Sequence, residues 1–160
     1  MISTQPSHSV PTWVDAAPFR AHLLQLHEIT GVPWQVIALS AGLTVSLATS
    51  LVEGRGGRPL RRLPREAAYG LLGVTAQRLT KLDSTRVDAA PTCRRLTELS
   101  RRGFDPAQLA LRMGVPLDVS AVLLTGTAHR ISARWALGVL AAHATADKEA
   151  VSGARYAPAA

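Results

Sequence analysis

One pattern of residues occurs twice in this chain, about seventy positions apart, and it restricts the possible folds more than any other feature. The pentapeptide VDAAP stands at Val14 to Pro18 and again at Val87 to Pro91. Each copy is followed by a Leu-x-x-Leu pair, Leu23 and Leu26 in the first and Leu96 and Leu99 in the second. Further on, Ala38, Gly42, Leu43, Ala48, Leu51 and Gly54 recur in spacing as Ala110, Gly114, Val115, Ser120, Leu123 and Gly126. A five-residue identity can arise by chance in an alanine-rich chain, but two patterns at nearly one offset mark an internal duplication. In 160 residues there is room for two small units, each marginal alone, so the halves are expected to share an interface.

Within each copy the glycine sets the local geometry. From Gln35 to Gly54 the sequence QVIALSAGLTVSLATSLVEG reads as a helix, a tight turn at Gly42 and a second helix. Ile37, Ala38, Ala41, Leu43, Ala48 and Leu51 fall where two crossed helices must touch, which is the helix-turn-helix arrangement. Around it, a first helix is expected from about Asp15 and Pro18 to Thr30, stopped by Gly31, with Phe19, Leu23, Leu26 and His27 inward. Pro33 opens the second helix and Thr44 caps a third that reaches Val52. A fourth from Arg65 to Val74 and a fifth from Thr75 to Leu82 close the unit. Residues 83–92 read as the connection. The second unit is expected to hold helices over 93–102, from Asp105 to the Gly114 turn, over 116–125 and over 131–143, the last bearing Trp135, Leu137 and Leu140.

Strand formers are sparse and aromatic residues make up only 4%, so the expected class is all-α, two tandem helix-turn-helix units related by duplication. The expected division is a disordered arm over 1–12, a first unit over 13–86, a second over 87–143 and a disordered tail over 144–160. No charged side chain lies between Ile29 and Val52, which raises the possibility of a membrane span. Pro33, Gln35, Gly42 and the hydroxyls of Ser40, Thr44, Ser46, Thr49 and Ser50 argue against it, as do Arg112 and Asp118 in the duplicate. Met1 to Pro11 has neither a charged leader nor an apolar core, so no signal peptide is expected. With a single cysteine, Cys93, and scattered histidines, the chain offers no disulfide and no zinc spacing; no metal or cofactor is expected, and the cytoplasm is the simplest location.

The net charge of +7 is local. Between Glu53 and Phe104 stand twelve Arg or Lys against five Asp or Glu, while the rest of the chain is neutral. The densest part is GRGGRPLRRLPRE, Gly54 to Glu66, whose glycines and prolines deny it regular helix and leave Arg55, Arg58, Arg61, Arg62 and Arg65 on a flexible loop. These cations suit phosphates or a narrow A·T minor groove; the ordinary alternative is a solvated linker. On the third helix, Leu43, Ala48 and Leu51 are expected inward and Val45, Ser46, Thr49 and Ser50 outward. That short-chained face lacks the Arg, Asn or Gln forks of strong base discrimination. Its counterpart on the second unit shows Leu117, Asp118, Ala121 and Val122, an acid among apolar groups, which suits a contact between halves or subunits rather than phosphates.

VDAAP with its Leu pair, the two glycine-turn helix pairs and the GRGGRPLRR segment together resemble tandem helix-turn-helix transcription regulators of actinobacteria and their phages, the phage immunity repressor type in particular, over about residues 13–143. The resemblance implies a regulator that occludes or positions RNA polymerase and has no catalytic residue. The expected partner is double-stranded DNA, held by Gln35, Thr44, Ser46, Thr49 and Ser50 together with the five arginines of the loop. The competing expectation is a protein-interaction module that docks a second copy, transcription machinery or a phage or host partner through Leu117, Ala121 and Val122. No Ser/His/Asp, Cys/His, paired-carboxylate or P-loop spacing supports an enzyme.

Overall fold

The structure, a computed structural model, describes residues 12–155. Two short antiparallel ladders each enclose three helices. The order is β1 (Trp13–Asp15), α1 (Ala17–Thr30), α2 (Trp34–Ser40), α3 (Val45–Glu53), β2 (Arg62–Pro64), α4 (Arg65–Leu72) and α5 (Ala76–Ser84). It continues with β3 (Arg86–Asp88), α6 (Ala90–Arg101), α7 (Pro106–Arg112), α8 (Leu117–Thr125), β4 (Arg130–Ser132) and α9 (Ala133–Arg155). The chain is mostly helical, with nine helices and two small two-stranded sheets among the described residues.

The helix starts expected at Asp15, Thr44, Thr75 and Asp105 hold, whereas α6 begins at Ala90, three residues before the expected 93. Asp15 and Asp88 accept from the amides of Ala17 and Ala90 and so open α1 and α6. Thr44, Thr75 and Asp105 cap α3, α5 and α7 in the same way. At Gly42 and Gly114 φ is +86° and +82°, which lets the chain reverse between α2 and α3 and between α7 and α8. Leu43 and Val115 then return their amides to the carbonyls of Ala38 and Ala110.

The strands differ from the all-α expectation. Each is three residues long, too short for an alternating pattern to register in sequence. β1 pairs with β2 so that Val14 faces Leu63 and Asp15 faces Arg62; β3 pairs with β4 so that Val87 faces Ile131 and Asp88 faces Arg130. The connection expected over 83–92 is accordingly the end of α5, β3 and the start of α6. The closing helix begins after β4, at Ala133, and runs past His143 to Arg155, so residues 144–155 are helix rather than disordered tail. The reason is burial: Ala146 packs with Val45, Leu99 and Leu109, and the joint it fills extends α9 by packing rather than by propensity. Residues 1–11 of the expected arm and 156–160 of the expected tail lie outside the described residues.

Leu23, Ile37, Ala38, Leu51, Leu63 and Leu71 form the first core. Leu96, Ala110, Val115, Leu123 and Val139 form the second. Between them lies a third, in which Val45 of α3 meets Met113, Ala141 and Ala142. Two glycines permit the closest crossings. A Cβ on Gly70 of α4 would lie 2.2 Å from the Ala41 carbonyl oxygen, and one on Gly138 of α9 would lie 2.8 Å from that of Met113. Each helix therefore lies directly on a turn. The segment 29–52 is broken into the end of α1, α2 and α3, and no described helix is long and apolar enough to cross a membrane.

Candidate functional site

The basic segment is a built hairpin, which corrects the expectation of a flexible loop. Leaving α3, Gly54 brings the backbone so near the returning strand that a Cβ there would lie 2.3 Å from the Arg58 carbonyl oxygen. Arg55 and Arg58 then exchange both backbone hydrogen bonds, at 2.9 and 3.0 Å, around Gly56 and Gly57. Both glycines have positive φ, +57° and +74°, as the tight two-residue turn of a twisted hairpin requires.

Side chains anchor both ends of this hairpin. Arg20, on α1, donates from Nε to the Leu51 carbonyl and from Nη2 to the Leu60 carbonyl at 2.7 Å, tying the end of α3 to the returning strand. Arg55 donates from Nε to Ser50 Oγ at 3.0 Å. Ser50 Oγ in turn donates to the Ser46 carbonyl. Beyond the hairpin the Ala16 amide donates to the Arg61 carbonyl, and β2 begins. Arg65 lies over the Tyr69 ring and donates to its hydroxyl.

Arg55, Arg58, Arg61 and Arg62 are exposed, and no carboxylate among the described residues lies within ion-pair distance of them. The pairs that do form lie elsewhere: Arg102 with Glu98 and Asp147, Arg134 with Asp83, and His143 with Glu98 and Asp147. Unpaired cations held at fixed positions are the arrangement that favours a polyanion.

The expected outer face of α3 is brought together only in part. Val45 and Ser50 are buried, at 7% and 5% exposure, Val45 beneath α9 and Ser50 beneath the hairpin. Thr44 and Ser46 are exposed beside Ala144 and Lys148 of α9, across a shallow groove. Gln35 and Thr49 are half-buried in a cleft of about 400 Å³ that they share with Trp34, Arg112, Lys148 and Glu149. The hydroxyl of Thr49 donates to the Val45 carbonyl at 2.8 Å. On α8, Leu117 and Val122 are 57% and 51% exposed and Ala121 is exposed with them, so this face is not the contact between halves; α9 makes that contact.

Arg20, Tyr69 and Gly70 are absent from the sequence expectation. Arg20 could have been found by comparing the helices that follow the two VDAAP stretches: it is the fourth residue of α1, and the fourth residue of α6 is Cys93. Between α3 and β2 lie residues 54–61, whereas between α8 and β4 lie only 126–129, which carry no arginine. Cys93 is buried, and burial pushes its thiol above the ordinary range. Glu98, His143 and Asp147 bring three possible ligand atoms within 4.8 Å of one another, but the Arg102 guanidinium contacts both carboxylates and already supplies the positive charge there. Comparison with protein families, with curated sequences and with solved structures finds no match to this chain.

Proposed function

We propose that this chain is a duplex-DNA-binding transcriptional regulator, a repressor, built from two tandem helix-turn-helix units that arose by internal duplication. Duplication is supported by the shared order strand, three helices, strand, helix, and by ladders that both oppose Val to an apolar residue and Asp to Arg. Gly70 and Gly138 add to it, since each sits at the same crossing over a turn.

The observation that carries the DNA reading is the arginine hairpin fixed to the end of α3, with its cations unpaired. In this reading Arg55, Arg58, Arg61 and Arg62 grip the phosphate backbone and Arg65 lies at the margin. Exposed Ser46 and Thr44, with half-exposed Gln35 and Thr49, make the groove contacts that α9 leaves open. The reading assigns no catalytic residue and no cofactor, and it places the protein on the nucleoid. Affinity should fall with salt: about five phosphate contacts give a slope of log K against log salt near about −4 to −5. Substituting Arg58, Arg61 and Arg62 together by alanine should flatten that slope by about 3 in an equilibrium titration. An unchanged slope removes the hairpin from the interface.

A second reading rests on a separate observation, the apolar α8 surface of Leu117, Ala121 and Val122. Under it the second unit docks a second copy or a protein of the transcription machinery. Sedimentation of the wild type and Leu117→Asp decides: loss of assembly supports the contact, and identical behaviour leaves α8 a solvated face.

A further inference from the structure

We propose that the Arg55–Arg58 hairpin is a minor-groove reader, which makes the protein prefer A·T-rich duplex beside the site that α3 faces. This inference rests on the DNA-binding reading and narrows it to one groove and one base composition.

Residues directly opposite each other on a two-stranded ladder send their side chains to the same side. Arg55 and Arg58 are such a pair, so their side chains leave the hairpin on the same side. Arg55 is aimed as well, because its Nε is committed to Ser50 and only its terminal nitrogens are free to meet a ligand. At the tip, Gly56 and Gly57 have no side chain to hold the backbone away from a groove. All five cations of residues 54–66 are arginine and none is lysine. A guanidinium is planar and more weakly hydrated than an ammonium, and it enters a narrow groove at lower desolvation cost.

Contact with phosphates alone would need none of this. Arg94 and Arg101 on α6 are exposed cations on a plain helix surface, which is sufficient for meeting a backbone charge. The first unit instead has four more residues between α3 and its second strand than the second unit has, and Arg20 is spent on holding them. A·T pairs offer N3 and O2 acceptors on the minor-groove floor, and A·T-rich tracts narrow the groove and deepen its negative potential. A G·C pair places the guanine N2 amino group in the way.

The test separates groove from charge. Binding of the full chain is measured by fluorescence anisotropy on three short duplexes of one length: dA·dT, dG·dC, and dI·dC, which has the major-groove edge of G·C but lacks the N2 amino group. The expected result is that dI·dC binds like dA·dT and about ten-fold or more tighter than dG·dC. The double variant Arg55→Lys with Arg58→Lys keeps the charge but removes both planar forks, so the ratio of dA·dT to dG·dC affinity should fall from about ten-fold to near one, whatever happens to affinity as a whole. If dI·dC behaves like dG·dC, or if the preference survives the double variant, the hairpin does not read the minor groove although the protein still binds DNA. If all three duplexes bind equally, the inference fails and the DNA-binding reading stands. A blank on all three in dilute buffer overturns both.

Discussion

Arg20 shows how much one side chain on α1 decides about a surface forty residues away. Its two hydrogen bonds to the Leu51 and Leu60 carbonyls span the base of the arginine hairpin, and both carbonyls are part-buried acceptors that water does not fully replace. Arg20→Ala should therefore cost about 2 kcal/mol in a urea titration. It should also speed tryptic cleavage between Arg55 and Arg62 well beyond any change elsewhere, because the loop loses its tie and not its sequence. Unchanged cleavage would mean that the Gly56–Gly57 turn holds the hairpin unaided. Nothing in the local sequence around Arg20 marks it, since its partners are backbone carbonyls brought near by the fold. Ser50 departs from the expected outward position for a related reason: its spacing from Ser46 suits an outward helical face, but the returning hairpin lies over it.

At the scale of elements, the local rules were legible and the close crossings were not. Thr44, Thr75 and Asp105 cap helices as their residue types lead one to expect, and Gly42 and Gly114 reverse the chain. Gly70 and Gly138, by contrast, sit inside helices, where glycine weakens an isolated helix by about 1 kcal/mol relative to alanine. Each is tolerated because another turn's carbonyl occupies the space. Gly70→Ala should lower stability by about 3 kcal/mol and Gly138→Ala by about 1 to 2 kcal/mol, the order following the 2.2 and 2.8 Å approaches. Thermal melting checks both. A gain of about 1 kcal/mol, the propensity effect alone, would show that the helices do not lie so near the turns. The ladders leave no signal in the sequence because three residues carry no period, although Val14 and Val87 inside the repeated pentapeptide stand in the middle of β1 and β3.

For the whole molecule, Val45 is the hinge of the packing. It begins α3, yet it is buried against Met113, Ala141, Ala142 and Ala146, so the two halves share a core through it. Unfolding of the full chain should then be a single cooperative transition. Val45→Asp buries a charge in that shared core and should cost about 3 kcal/mol or more, splitting the transition into two. Ser46→Asp, one residue on and exposed, should change stability by no more than about 0.5 kcal/mol and leave one transition. Two transitions in the wild type would show that the halves fold independently. The same packing decides how much of α3 a duplex could reach: α9 covers Val45 and the hairpin covers Ser50, while Thr44, Ser46 and the hairpin arginines stay exposed.

The sequence by itself determined what depends on neighbours in the chain: the helix starts and stops, the reversal at each glycine, the repeated pattern and the gathering of arginines after α3. These follow from backbone preferences and short-range hydrogen bonds, which act within a few residues. Only the tertiary structure decided that α9 runs on across the joint, that Val45 and Ser50 turn inward, and that the arginines stand on a fixed hairpin. Those outcomes depend on which distant surfaces exclude water from one another, and such surfaces meet only once the chain has folded.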